Sequence, residues 1–458
     1  MATLVVRGGT LVDGTGRAPV RDATVLIEGE RITAAGPSAQ VPVPEGATVV
    51  EAAERTVIPG LIDMHVHTGL CREESFPLFL ALGVTTIRDC AGDPVEVLPL
   101  RDRIAGGEVV GPRMFSMGPV LDGSPPTFSL PNPAGLRELR SVEEARAAAE
   151  ELIDLGVDGL KLYATLPPDR AAAILDVARG RVPTTGHLSR TTSTEAIEGG
   201  ISCLEHTHAS IYQDIVQPED RHPVDGGNGV MPNYWNWLAG GWARADLDAP
   251  HVRTFIELMA ERDVSLCATL IMMTGGMLTE EAAEEPGLAY LPAYMRKRHL
   301  PENARRAWAE RRAAGAEAGL PLQNVPPVNE RARAQQVDFV RRAHEAGVRL
   351  AIGTDVGGAS GQVPGFSMHR EMAMHVEAGL SAHEVIQAST RACAEALWQQ
   401  ADLGTIEVGK LADLVVVEGD PLADLNAARN VVTVVANGVA HDAAALLEQA
   451  RAVAEVSA

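Results

Sequence analysis

The chain has 458 residues, with 39 Lys plus Arg against 61 Asp plus Glu, a formal net charge of −22. That balance excludes a nucleic-acid partner, which needs clustered positive charge, and disfavours an anionic membrane surface. Hydrophobic residues at 46% and charged residues at 22% describe a globular chain, long enough for one large α/β barrel with an appendage or for three ordinary domains.

Met1-Ala2-Thr3 opens directly into a strand-like pattern, so no signal peptide is expected. Residues 1–57 read as short β-branched runs broken by Gly and Asp, the pattern of a β-meander. The middle alternates. Strand-like runs at 61–65, 84–89, 112–117, 157–162, 182–187, 202–206, 264–269 and 348–354 are separated by Ala-, Glu- and Arg-rich stretches such as 141–155 and 328–346. Eight strands alternating with helices predict parallel βα units, and the count fits a (β/α)8 barrel, with an open doubly wound sheet as the alternative. Two segments break the rhythm, at about 207–250 and 271–327, and loops of that length are usually functional or disordered. The first holds Tyr234, Trp235, Trp237 and Trp242, three of the five Trp in the chain. They read either as a hydrophobic anchor or as a lid facing substrate. The C-terminal residues return to β texture, with Leu414-Val415-Val416-Val417, then Val431 to Ala436 running into the hairpin signal Asn437-Gly438. The expected organisation is therefore a small composite β-sandwich from residues 1–57 and 401–458 around a barrel at 58–400. The five Cys, at 71, 90, 203, 267 and 393, contain no CxxC pair, and no apolar run is long enough to span a bilayer. A reducing, cytoplasmic setting is the expectation.

The residues suited to chemistry sit at the carboxyl ends of the predicted strands. His65 and His67 are two apart, so in a strand both imidazoles point to one side. Lys161 ends an otherwise apolar strand, where an unpaired Lys is unusual. It reads either as a snorkelling side chain or as a Lys that has reacted with CO2 to give a carbamate, an anionic ligand able to bridge two metals. His187, His206 and Asp355 end three further strands. Barrel enzymes place their chemistry on that face. Imidazole and carboxylate donors suit Zn2+ and tolerate Mn2+, Co2+ or Fe2+. Two such ions about 3.5–4 Å apart hold a bridging hydroxide and polarise a carbonyl. Asp355 is then placed as ligand, general base and general acid. Tyr163, two after Lys161, points to the same side and reads as an oxyanion donor or as core packing. His208 reads as a substrate contact or a solvated loop residue, His369 as a support for the site or a helix cap, and Arg190 as a carboxylate partner or a surface charge.

Val57-Ile58-Pro59-Gly60-Leu61-Ile62-Asp63-Met64-His65-Val66-His67, followed in order by Gly83 to Asp89, Gly186-His187, Glu205-His206, Gly353-Thr354-Asp355 and Leu403 to Leu414, resembles the metal-dependent amidohydrolase superfamily in its prolidase/imidazolonepropionase-like branch. The resemblance covers nearly the whole chain. It implies His65, His67 and Asp355 on one metal, His187 and His206 on the other, and carboxylated Lys161 between them. It also implies a homo-oligomer acting on a small molecule. The expected reaction is hydrolysis of a C–N bond in an amide, carbamate, urea or peptide-like substrate, with the Trp-rich segment pointing to an aromatic or apolar group. The alternatives are an Xaa-Pro dipeptidase-like peptidase, a mononuclear cyclic-amide hydrolase or deaminase, and a non-catalytic binding protein.

Overall fold

The computed structural model describes residues 3–127, 135–217, 221, 234–272, 286–299, 326–358 and 362–456. Its strands are β1 Thr3–Leu11, β2 Val20–Glu28, β3 Arg31–Pro37, β4 Thr48–Glu51, β5 Arg55–Pro59, β6 Leu61–Val66, β7 Val84–Asp89, β8 Arg113–Ser116 and β9 Val120–Asp122. They continue with β10 Leu136–Glu138, β11 Leu160–Leu162, β12 Thr184–Gly186, β13 Cys203–Glu205, β14 Ser265–Cys267, β15 Leu350–Ala351, β16 Leu414–Glu418, β17 Val431–Ala436 and β18 Val439–Asp442.

The two ends of the chain build one eight-stranded sheet, in the order β18-β17-β16-β5-β1-β2-β3 with β4 on β1. Its central seam joins β5 to β16 in antiparallel register from Pro59–Leu414 to Arg55–Glu418. Val6, Val25, Val57, Leu414 and Val416 bury one face of it in a cluster drawn from both ends. Asn437 at φ 51° and Gly438 at φ 73° make the two-residue turn between β17 and β18, where both central positions need positive φ.

The middle of the chain forms two wholly parallel sheets, β6-β7-β8 and β10-β9-β11-β12-β13-β14-β15. Backbone hydrogen bonds join them at both sides. Asp158 N donates to Ser116 O at 2.8 Å, Met64 N to Ile352 O at 3.0 Å and Asp355 N to His65 O at 2.8 Å. Helices follow the strands because the intervening sequences carry their own boundaries. In Val142–Leu155, Ser141 accepts from Glu144 N at the start, Gly156 takes φ 90° at the end, and Ala145, Ala148, Ala149 and Leu152 form the buried stripe. Thr192 and Glu195 make a reciprocal capping box ahead of Ser193–Gly199.

Each expected run contains a strand: β6 extends one residue past its run, β7 matches 84–89, and the other six are shorter. The run at 112–117 becomes β8, the unexpected β9 follows once Gly118 turns left-handed at φ 63°, and β10 adds a strand with no apolar signature. After Ala351 the chain leaves the ladder and directs its backbone bonds toward β6. Of the two expected insertions, residues 218–220, 222–233, 273–285 and 300–325 lie outside the described residues. Tyr234–Arg244 is a helix, and Trp242 is fully buried, with Nε1 donating to His208 O at 3.2 Å. The side chains of Tyr234 and Trp235 lie outside the described residues. Trp237 is half-buried, its ring 4.2 Å from that of Tyr212. For Trp242 the anchor reading is the one observed. Among the described residues no helix is long and apolar enough to cross a membrane.

Candidate functional site

Every candidate ligand lies within the last two residues of a parallel strand or beyond its carboxyl end. His65 lies in β6 with His67 just beyond it, Lys161 is in β11, His187 follows β12, His206 follows β13, and Asp355 lies four residues past β15. The strand register sets their heights, and close backbone approach sets their spacing. Gly353 is the clearest case, because a Cβ there would stand 2.8 Å from His65 N and 2.6 Å from Cys267 Sγ. Two of the residues carry strained backbones: His206 at φ 59° and Asp355 at φ 58°. Positive φ in a non-glycine residue persists only where the surroundings over-determine it, and it concentrates at functional sites.

The side chains converge on Asp355. Its Oδ1 lies 2.8 Å from His67 Nε2 and 3.5 Å from His65 Nε2, and its Oδ2 lies 4.0 Å from His206 Nε2. The rings of His65 and His206 are 4.6 Å apart, and those of His187 and His206 are 4.7 Å apart. Tyr163 stands 4.8 Å from His187, ring to ring, and His208 stands 5.0 Å from His206. All six predicted ligands and both predicted substrate-facing residues are thus buried or half-buried in one region, and the solvated reading of His208 is corrected by its burial. The two weaker candidates are not brought in. His369 Nε2 donates to Leu82 O at 2.8 Å, and Arg190 is exposed.

Burial decides the protonation states. It lowers His65 to about 4, with Lys161 adding to the effect, lowers His208 to about 4, and lowers His187 and His206 well below the ordinary imidazole value. For Asp355 burial works the other way, but His65 and the His67 contact outweigh it and hold the carboxyl down to about 2. Neutral imidazoles around an ionised carboxylate are the donor states a divalent cation requires. His65, His206 and Asp355 form one group of three donor atoms within 4.8 Å of one another. Two buried polar atoms of these residues have no hydrogen-bond partner. Lys161 Nζ is buried with no hydrogen-bond partner, its nearest carboxylate being Glu205 Oε1 at 4.0 Å, and His67 Nδ1 is likewise unpartnered.

The supporting residues are what sequence reasoning missed. Glu205 Oε2 accepts from His65 Nδ1 at 2.7 Å, while Oε1 takes Arg88 and the Thr185 hydroxyl. Burial alone would raise Glu205, but Arg88, Lys161 and His65 hold it well below its ordinary value. With Nδ1 committed to Glu205, His65 presents Nε2 to the centre. Asp63 accepts from Thr354 N at 2.9 Å and Oγ1 at 2.7 Å, fixing the turn that carries Asp355. The available signal was a charged residue inside an apolar strand, Arg88 in β7 and Glu205 in β13. Their pairing across strands is not visible in the sequence. A separate cleft of about 600 Å³ lies at the opposite ends of the strands, around Ser202, Ser265, Arg349 and Trp398. Arg349 there is already paired with Asp263 at 2.7 Å and Glu395 at 3.0 Å.

Residues 56–440 match the family model described as "Amidohydrolase family". The chain is similar to a 5-methylthioadenosine/S-adenosylhomocysteine deaminase of Symbiobacterium thermophilum, 27% identical over 190 residues, which is 39% of this chain and 38% of that one. The chain thus spans well under half the length of that relative. It is similar over a longer span to an imidazolonepropionase of Cereibacter sphaeroides, 24% identical over 428 residues, covering 92% of this chain and 94% of the other. Among solved structures it shares its fold with a Xaa-Pro dipeptidase crystallised with methionine in the active site, at TM-score 0.67 and 21% identity, covering 96% of this chain and 100% of that one.

Proposed function

The chain belongs to the amidohydrolase family, and on that premise we propose that it is a metal-dependent hydrolase of a C–N bond in a small molecule, an amide, carbamate, urea or peptide-like bond. The observation that carries the reading is the convergence of His65, His67 and His206 through Nε2 on Asp355 at 3.5, 2.8 and 4.0 Å. Supporting a closed (β/α)8 barrel beneath it are the backbone bonds that join the two parallel sheets at both sides. The mixed-origin terminal sheet supports a composite β-sandwich domain.

His65, His67, His187, His206 and Asp355 would hold two divalent ions, of which Zn2+ suits the donors, with Lys161 as a carbamate between them. Such ions supply positive charge that polarises a carbonyl and acidifies water. The chain's own residues do the rest. Asp355, ionised and oriented by His67, accepts the proton of the attacking water and delivers it to the leaving nitrogen. Glu205 keeps His65 turned inward. Tyr163, beside His187, donates its hydroxyl to the substrate oxygen as charge develops there, and His208 borders the same space. Because Trp242 is buried in the core, it offers no argument for an aromatic substrate.

A mononuclear deaminase or cyclic-amide hydrolase is the second reading, favoured by the three-donor group His65, His206 and Asp355, which needs no bridging Lys. Elemental analysis of protein purified without chelator and supplied with bicarbonate separates the two. About two metal equivalents per chain, falling in Lys161→Ala together with turnover, is the expected result. About one equivalent, unchanged in Lys161→Ala, would establish the mononuclear reading, and no retained metal would overturn both.

A further inference from the structure

Glu371 lies outside the cluster of candidate ligands. It projects from the helix Phe366–Glu377, is completely buried, and spends its two oxygens on consecutive backbone donors. Leu270 N donates to Oε1 at 2.9 Å and Ile271 N donates to Oε2 at 2.7 Å. Those two residues lie in the segment after β14, immediately following Thr269. Thr269 is a β-branched residue at φ 44°, a conformation such residues avoid unless neighbouring contacts impose it. Contacts do so from both sides. Glu371 fixes the next two amides, while the carbonyl of Ala268 on the near side accepts from Thr207 N at 3.0 Å. The consequence is the position of one hydroxyl. Thr269 Oγ1 lies 2.8 Å from His206 Nδ1, and the opposite nitrogen of that ring, Nε2, faces Asp355 Oδ2 at 4.0 Å.

We propose that Glu371 is a positioning residue for His206: by clamping the backbone after Thr269 it holds the Thr269 hydroxyl against Nδ1 and so fixes the ring plane and the nitrogen presented to the centre. The inference deepens the metal-centre reading and rests on it for its benefit to the reaction. A ligand imidazole gains orientation and basicity from the partner of its other nitrogen, and losing such a partner costs roughly 10–100-fold in metal affinity. Here that partner is itself held by a strained turn, so the clamp is a further step removed from the ion.

Two readouts test this on the full chain. The first uses chelator-treated protein labelled with 15N in histidine, with the His206 ring signals assigned by their loss in His206→Asn. Glu371→Gln and Glu371→Asp should shift the His206 ring nitrogens in the same direction as Thr269→Val. The double variant Glu371→Gln/Thr269→Val should match Thr269→Val alone, because the two residues act in series. Thr269→Ser, which keeps the hydroxyl, should stay near wild type. Wild-type His206 signals in both Glu371 variants, or additive shifts in the double, would overturn the proposal. The second readout is titration with Co2+ alone, followed by its visible absorption. Thr269→Val should raise the Co2+ dissociation constant about 10–100-fold, and Glu371→Gln should raise it by up to that factor and alter the band shape, again without adding to Thr269→Val. Failure of the wild type to take up Co2+ would overturn the metal-centre reading, and the ring-nitrogen signals would still decide the role of Glu371.

Discussion

At Glu205 two oxygens serve three buried neighbours: His65 on one side, Arg88 and Thr185 on the other. The pair with Arg88 matters most energetically, since both groups are fully removed from water. Removing one member of a buried ion pair leaves the other charge without a partner, which costs about 3–5 kcal/mol. Glu205→Gln should therefore lower unfolding stability by about that amount in urea titration, and should free His65 to rotate. A loss below about 1 kcal/mol would show that Arg88 finds another acceptor. Gly353 is limiting for a steric reason. In Gly353→Ala the new methyl would meet His65 N and the Cys267 thiol, so overpacking of about 1–3 kcal/mol is expected, with weaker metal uptake because His65 is displaced. Unchanged metal content in that variant would show that the backbone beside His65 yields. At this scale the candidate ligands were legible, because His, Lys and Asp at the ends of apolar runs stand out against strand composition. Glu205, Arg88, Thr269 and Glu371 were not assigned roles, since each acts through a partner more than 60 residues away along the chain.

The helix Tyr234–Arg244 shows what element-scale reading resolves and what it leaves open. Clustered Trp residues mark a place where the chain invests apolar surface, but composition does not say whether that surface faces the core or a ligand. Trp242 packs inward, 6.1 Å from Phe339 ring to ring, and its indole N–H holds the carbonyl of His208. Truncation to Ala should cost about 3–5 kcal/mol, as for other buried Trp residues. Trp242→Phe should recover much of that stability while losing the bond to His208. Scanning calorimetry with a matched activity assay separates the two effects: a Phe variant with restored melting temperature but reduced turnover would show that anchoring His208 serves the reaction, and full turnover would show that the indole serves packing alone. The parallel strands were readable from strand-like runs alternating with Ala-, Glu- and Arg-rich helical stretches, and the hairpin at Asn437-Gly438 from its positive-φ demand. The lengths of the later strands were not, as for the run at 348–354, where β15 ends once its backbone bonds turn toward β6.

Across the whole molecule, buried titratable groups outside the metal-competent cluster make stability depend on pH, and His369, His375 and Glu371 do so with opposite signs. His369 and His375 are each lowered by burial from 6.5 to about 4. The folded state thus binds fewer protons than the unfolded chain between those values. Their contribution is complete above about pH 6.5 and is lost as pH falls toward 4, with a slope of up to about 1.4 kcal/mol per pH unit for each imidazole. Glu371 has the opposite sign. Burial raises it from 4.5 to about 8 against the pull of its two backbone donors, so its contribution is complete below about 4.5 and is lost as pH rises through 8. The summed contribution of these three groups is therefore largest near pH 6.5, and in urea titration of chelator-treated protein it should shrink on both sides. His369→Gln, whose amide can still donate to Leu82 O, should flatten the acid side, and Glu371→Gln should flatten the alkaline side. Comparing each variant with wild type at the same pH cancels the background from the net charge of −22, which also changes on acidification. Parallel wild-type and variant profiles on either side would show that the corresponding group titrates as it does in the unfolded chain, and that its burial is relieved before the fold gives way.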